Sequence, residues 1–60
     1  MDKDRRQFLE AIRDGADVYP LIKKLGYGWA VQERLVYKHG PENTLDFTIT
    51  ARGIAALTTE

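Results

Sequence analysis

His39 is the one histidine in this 60-residue sequence and its candidate for acid–base or metal chemistry. It stands beside Gly40-Pro41, a turn pair, and no carboxylate close in sequence orients it for acid–base work. The chain has no serine and no cysteine, which removes the usual hydroxyl and thiol nucleophiles, thiolate metal ligands and disulfides. One histidine among scattered carboxylates matches no recognised zinc spacing. Gly26-Tyr27-Gly28 begins like a glycine-rich phosphate loop but lacks the rest of the P-loop and dinucleotide patterns. These residues predict a protein that is not an enzyme, has no metal, cofactor or small-molecule substrate, and works by binding.

Two sets of side chains could do that binding. Basic residues cluster at Lys3, Arg5 and Arg6, at Lys23 and Lys24, and at Arg34 and Lys38. Nine basic residues are balanced by nine acidic ones, so the net charge is zero. Phosphate neutralisation drives non-specific DNA affinity, and the balance argues against a strong version of it while allowing one basic face. The second set is aromatic: Tyr19, Tyr27, Trp29 and Tyr37. A core this small cannot enclose all four, and rings are enriched at protein interfaces.

Apolar residues make up 43% of the chain and charged residues 30%, which is ordinary for a globular protein. The length predicts a single domain over residues 1–60. Such a domain buries only about 60% of its unfolded surface, and a homodimer would extend its core. No apolar run approaches the ~20 residues of a membrane span. Met1-Asp2-Lys3-Asp4 leads into no apolar signal segment. A cytoplasmic protein with no membrane partner is expected, and the lack of cysteine suits a reducing compartment.

The elements that must position these residues follow from periodicity and punctuation. Residues 2–14 predict an amphipathic helix on Phe8, Leu9 and Ile12, stopped by Gly15. Asp17 predicts the cap of a second helix running to Leu25, with Pro20 in its first turn and Gly26 as its stop. Residues 30–38 admit helix or strand. A helix continued to Lys38 would put Val36 and Tyr37 off the Val31/Leu35 stripe. A short helix over about 28–34 running into a strand over about 35–39 avoids this, with Leu35 and Tyr37 on one side. Gly40-Pro41-Glu42-Asn43 has type I turn chemistry. Leu45-Asp46-Phe47-Thr48-Ile49-Thr50 alternates as a strand whose Leu45, Phe47 and Ile49 face inward. Thr50 predicts the cap of a last short helix that buries Ile54 and Leu57 and exposes Arg52. The expected fold is α+β: three N-terminal helical segments, a two-stranded antiparallel hairpin and a short C-terminal helix.

That order resembles a winged helix-turn-helix domain over residues 21–57. Leu21-Ile22-Lys23-Lys24-Leu25-Gly26, followed by Val31, Leu35 and Gly40, looks like the Leu-Gly turn and recognition helix of that family. Phe47-Thr48-Ile49-Thr50-Ala51-Arg52-Gly53-Ile54-Ala55-Ala56-Leu57 looks like the closing strand of the wing and a Thr-x-x-Gly-x-x-x-Leu helix. The resemblance implies a DNA-binding protein or transcriptional regulator. It puts Trp29, Gln32 and Arg34 on the recognition helix, where Gln reads adenine and Arg pairs guanine or phosphate. It puts Lys38, His39 and Asn43 on the wing, and Lys23 and Lys24 near phosphates. Beside it stands a second reading, a protein-interaction or homodimerising module of the same fold. Glu33 on the reading face and the zero net charge motivate this, and Tyr27, Trp29 and Tyr37 would then form the interface.

Overall fold

A computed structural model describes residues 2–41 and 44–59. Helix α1 spans Lys3–Asp14. Asp2 starts it by accepting the Arg5 N–H at 2.9 Å, and Gly15 ends it in the left-handed region. Its inward face is Phe8 and Leu9, both fully buried. Helix α2 spans Tyr19–Leu25 with Pro20 in its first turn. Asp17 accepts the Tyr19 N–H at 3.0 Å, so this carboxylate serves the start of α2 as an Asx turn. Gly26 ends α2 at φ 71° and ψ −178°, a combination essentially confined to glycine. This residue makes the sharp turn into α3, which spans Gly28–Gln32.

Helix α3 stops two residues short of the expected end, because Arg34 adopts the left-handed conformation at φ 61°. The Leu35 N–H reaches back to the Ala30 carbonyl at 2.9 Å and the Arg34 N–H to that of Val31 at 3.0 Å. That pair of bonds is a Schellman cap, and its apolar contact joins buried Leu35 to buried Ala30. The cap turns the chain, and strand β1 begins at Val36 and runs to His39. Strand β2 spans Asp46–Ile49 and pairs with it antiparallel, with Val36 opposite Ile49 and His39 opposite Asp46. Helix α4 spans Ala51–Thr58. Among the described residues the fold is thus α+β, with three helices, an antiparallel two-stranded hairpin and a C-terminal helix, as expected.

The core is Phe8, Leu9, Val18, Ala30, Leu35, Val36 and Leu57, with Phe47 and Ile49 packed on it from β2. Several inward assignments are corrected. Tyr37 is 62% exposed, because the strand's alternation starts at Val36 and Leu35 belongs to the cap. Leu45 precedes β2 and lies exposed, so only Phe47 and Ile49 of that trio turn inward. Val31 is exposed while its neighbour Ala30 is buried. Ile54 is exposed as well, since α4 presents Gly53 and Leu57 to the core, four residues apart on one line.

Thr50 joins the hairpin to α4. Its hydroxyl accepts the Gly53 N–H at 3.0 Å and donates toward the Arg34 and Leu35 carbonyls at 2.6 and 3.0 Å. Its own N–H donates to the Leu35 carbonyl at 3.1 Å. The cap of α4 is therefore also the fastening between the end of α3 and the end of β2. No helix among the described residues is long and apolar enough to cross a membrane.

Candidate functional site

Three residues of α3 face outward, namely Gly28, Val31 and Gln32. They stand at i, i+3 and i+4, so they share one face of the helix. Beyond the helix end, Arg34 is exposed by its left-handed backbone. An open groove of about 480 Å³ runs from there along the hairpin, lined by Val31, Arg34, Val36, Tyr37, Lys38 and Thr50. Its floor is apolar, its two charges are positive, and no carboxylate lines it among the described residues.

Arg34 in this conformation is strained, as left-handed backbone costs a residue with a Cβ roughly 1–2 kcal/mol. Glycine's larger loss of freedom on folding offsets part of that strain, so Arg34→Gly gains about 1 kcal/mol and is expected to raise the melting temperature by about 4–8 °C while deleting the cation. Thermal unfolding followed by far-UV circular dichroism checks it, and a lower melting temperature would overturn the cap assignment.

The other expected contact residues are scattered. Lys38 sits on β1 and its ammonium donates to the Pro41 carbonyl at 2.7 Å, which leaves two of its three N–H groups for a ligand. His39 is exposed and hydrogen-bonded to the Thr48 hydroxyl across the strands. Lys23 is exposed on α2 with its ammonium 5.8 Å from the centre of the Tyr19 ring. Lys24 is drawn aside by Asp4 of α1, Nζ to Oδ2 3.1 Å, and so is committed to a contact between the helices. Lys23, Arg34 and Lys38 have no carboxylate partner among the described residues. Arg34 and Lys38 share the groove, whereas Lys23 and Lys24 do not line it. Asn43 lies outside the described residues.

Two of the three rings expected at an interface are held by the core instead. Trp29 packs edge-on against Phe8 with centroids 5.1 Å apart, and its indole N–H donates to the Gly26 carbonyl at 3.0 Å. The Arg5 guanidinium covers its face at 5.0 Å. Tyr27 packs against Phe47 at 5.3 Å. Trp29 thus belongs to the packing of α3 and not to a reading surface. Tyr37 is exposed, and so is Tyr19, at 53%.

Val31 is exposed and shares the outer face with Gly28 and Gln32, although its spacing from Leu35 predicts one apolar stripe for the two. The shifted ionisations lie away from the groove, on α1. There the Arg13 guanidinium hydrogen-bonds Asp14, which holds the carboxyl below its usual value and raises that of the arginine. Among the described residues, no group of three or more His, Asp or Glu side chains gathers as a metal site would. No family model, no curated protein and no solved structure matches this chain.

Proposed function

We propose that this chain is a small DNA-binding protein or transcriptional regulator of the winged helix-turn-helix type. In this reading α2, the Gly26 turn and α3 are the helix-turn-helix and the β1–β2 hairpin is the wing. The observation that carries it is the groove joining Arg34, just past α3, to Lys38 on the hairpin, which no carboxylate lines among the described residues. Gln32 stands at the exposed end of α3, placed to read an adenine edge in the major groove. Arg34 and Lys38 take phosphates, and Lys23 adds a third contact from α2.

The proportions set what kind of binding this is. A helix of five residues is about 7.5 Å long, so little of it reaches base edges in a groove about 12 Å wide. Phosphate contacts then supply most of the affinity, and sequence selectivity is low.

With three phosphate contacts, the logarithm of affinity falls with the logarithm of salt at a slope of about −2.7. Between ~50 and ~200 mM salt that is a loss of about fortyfold. Arg34→Gly reduces the slope to about −1.8 without loss of fold. Fluorescence anisotropy with a labelled duplex checks both numbers. No binding at ~50 mM salt and high protein concentration would sink the reading.

A second reading, self-association or a protein partner, is favoured by a different observation. Val31, Tyr37 and Ile54 are apolar and exposed. Sedimentation equilibrium separates the two: a concentration-dependent dimer without DNA affinity supports the second.

A further inference from the structure

The hairpin has an outer face on which the duplex reading gives Tyr37 no contact. The register puts Tyr37 opposite Thr48 and His39 opposite Asp46, and all four side chains are exposed. Tyr37 is, at 62%, more exposed than Tyr19, Val31, Leu45 or Ile54. It is not a loose ring. Its centroid lies 4.7 Å from that of His39, at a tilt of 55°. His39 is in turn held across the ladder by the Thr48 hydroxyl. The ring is therefore braced by a tilted neighbour on the same face and presented to solvent by two hydrogen-bonded strands.

Charge stands beside it. Tyr37 also lines the groove that Arg34 and Lys38 line, so the ring and both cations border one groove, with Lys38 leaving the strand on the opposite face. Asp46, the acidic group of this face among the described residues, sits opposite His39 at the far end of the register. An anionic backbone would be drawn to the Arg34 side and repelled from the Asp46 end.

We propose that this face is a stacking platform for unpaired bases of single-stranded nucleic acid. One base lies on the open face of Tyr37, His39 braces the ring, and Arg34 and Lys38 hold the neighbouring phosphates. An exposed ring on a strand surface with cations along the same groove suits unstacked bases, because every base has a π-face. Paired bases present only their edges, so the platform serves single strands or the opened end of a duplex. It goes beyond the duplex reading in using Tyr37 on the hairpin's outer face, with α3 making no contribution.

The test uses labelled oligo(dT) of roughly 16 nucleotides, the upper end of the footprint of a small single-strand-binding fold. A second probe is an abasic deoxyribose-phosphate strand of the same length, and the third is a blunt duplex. Tyr37→Ala is expected to weaken oligo(dT) binding about 5- to 150-fold, the range for loss of one stacked base. Tyr37→Phe keeps the π-face and is expected to stay within about twofold of the parent. The abasic strand is expected to bind the parent as weakly as oligo(dT) binds Tyr37→Ala. Tyr37 is exposed, so neither variant strains the fold, and far-UV circular dichroism verifies this.

The proposal is overturned if Tyr37→Ala binds oligo(dT) as the parent does. It is equally overturned if the abasic strand binds as well as oligo(dT), or if Tyr37→Ala weakens the blunt duplex to the same degree. Loss of a dimer in Tyr37→Ala, with no affinity for oligo(dT), would assign the ring to a self-interface instead. Duplex binding is scored separately. A chain that binds oligo(dT) and ignores the duplex keeps this proposal and loses the winged-helix reading.

Discussion

Gly53→Ala is expected to destabilise the fold by about 3 kcal/mol, the upper part of the range for overpacking. Helix propensity alone assigns the same change a gain of roughly 1 kcal/mol, so the two accounts differ in sign. The structure decides between them. A Cβ on Gly53 would overlap the Leu35 carbonyl oxygen and lie 2.8 Å from Ile49 Cγ1. The overlapped atom is backbone and cannot swing aside. It also accepts the Thr50 N–H and lies within reach of the Thr50 hydroxyl, so moving it breaks the fastening between α3 and α4. Chains of this size are stable by about 3–9 kcal/mol in all. The melting temperature should fall by roughly 12–24 °C, at about 4–8 °C per kcal/mol. Urea or thermal unfolding followed at the helix band reads this directly. A variant melting at or above the parent would show that α4 does not press on Leu35 as described.

The same glycine marks what the sequence made legible. Composition and spacing carried the elements outside residues 30–38: the α1 stripe, Gly15 and Gly26 as stops, the Thr50 cap and the alternation of β2. These are local signals, set by capping chemistry and side-chain period. The packing role of Gly53 is not among them, because close approach of a distant carbonyl leaves no trace nearby in the chain. The inward face of β1 was lost for a related reason. A left-handed arginine stands where glycine is the common choice, so the Schellman cap at Arg34 had no composition signal. A shift of one residue in where a strand begins exchanges its two faces, which sent Tyr37 outward and Val36 inward.

Legibility of the site divides along the same line. Basic residues are easy to find in a sequence, and their partners are not. Lys23 and Lys24 are neighbours, yet Lys24 is spent on Asp4, some twenty residues away in sequence, while Lys23 is left to solvent and a tyrosine ring. Arg34 and Lys38 look unrelated by helical spacing once α3 ends at Gln32, yet the turn after the cap brings both to one groove. Of the three rings expected at an interface, two went to the core. Trp29 and Tyr27 found Phe8 and Phe47, and Tyr37 was left outside. Which ring is surplus depends on where the few core positions fall, and that is a property of the assembled helices.

The arrangement of those rings makes Phe8→Ala the other large expected effect. Phe8 is fully buried at the centre of α1, edge-on to Trp29 at 5.1 Å and to Phe47 at 6.1 Å. Through these two contacts one side chain keys α1 to α3 and to β2. Truncation removes a buried ring and leaves a cavity, at a cost of about 3–5 kcal/mol. That equals or exceeds much of the about 3–9 kcal/mol available, so the variant should lose cooperative unfolding near room temperature. Phe8→Leu keeps most of the volume and is expected to fold with a loss of roughly 1–2 kcal/mol. Trp29 reports on the difference, being packed between Phe8 and the Arg5 guanidinium. Its fluorescence should shift to the red and its near-ultraviolet circular dichroism should collapse in Phe8→Ala, and both should persist in Phe8→Leu. Phe8 touches neither the groove nor the outer hairpin face. If Phe8→Ala melted within a few degrees of the parent, Trp29 and Phe47 would have to be anchored elsewhere. The hairpin that carries Tyr37 and Lys38 would then lose its described seat on α1.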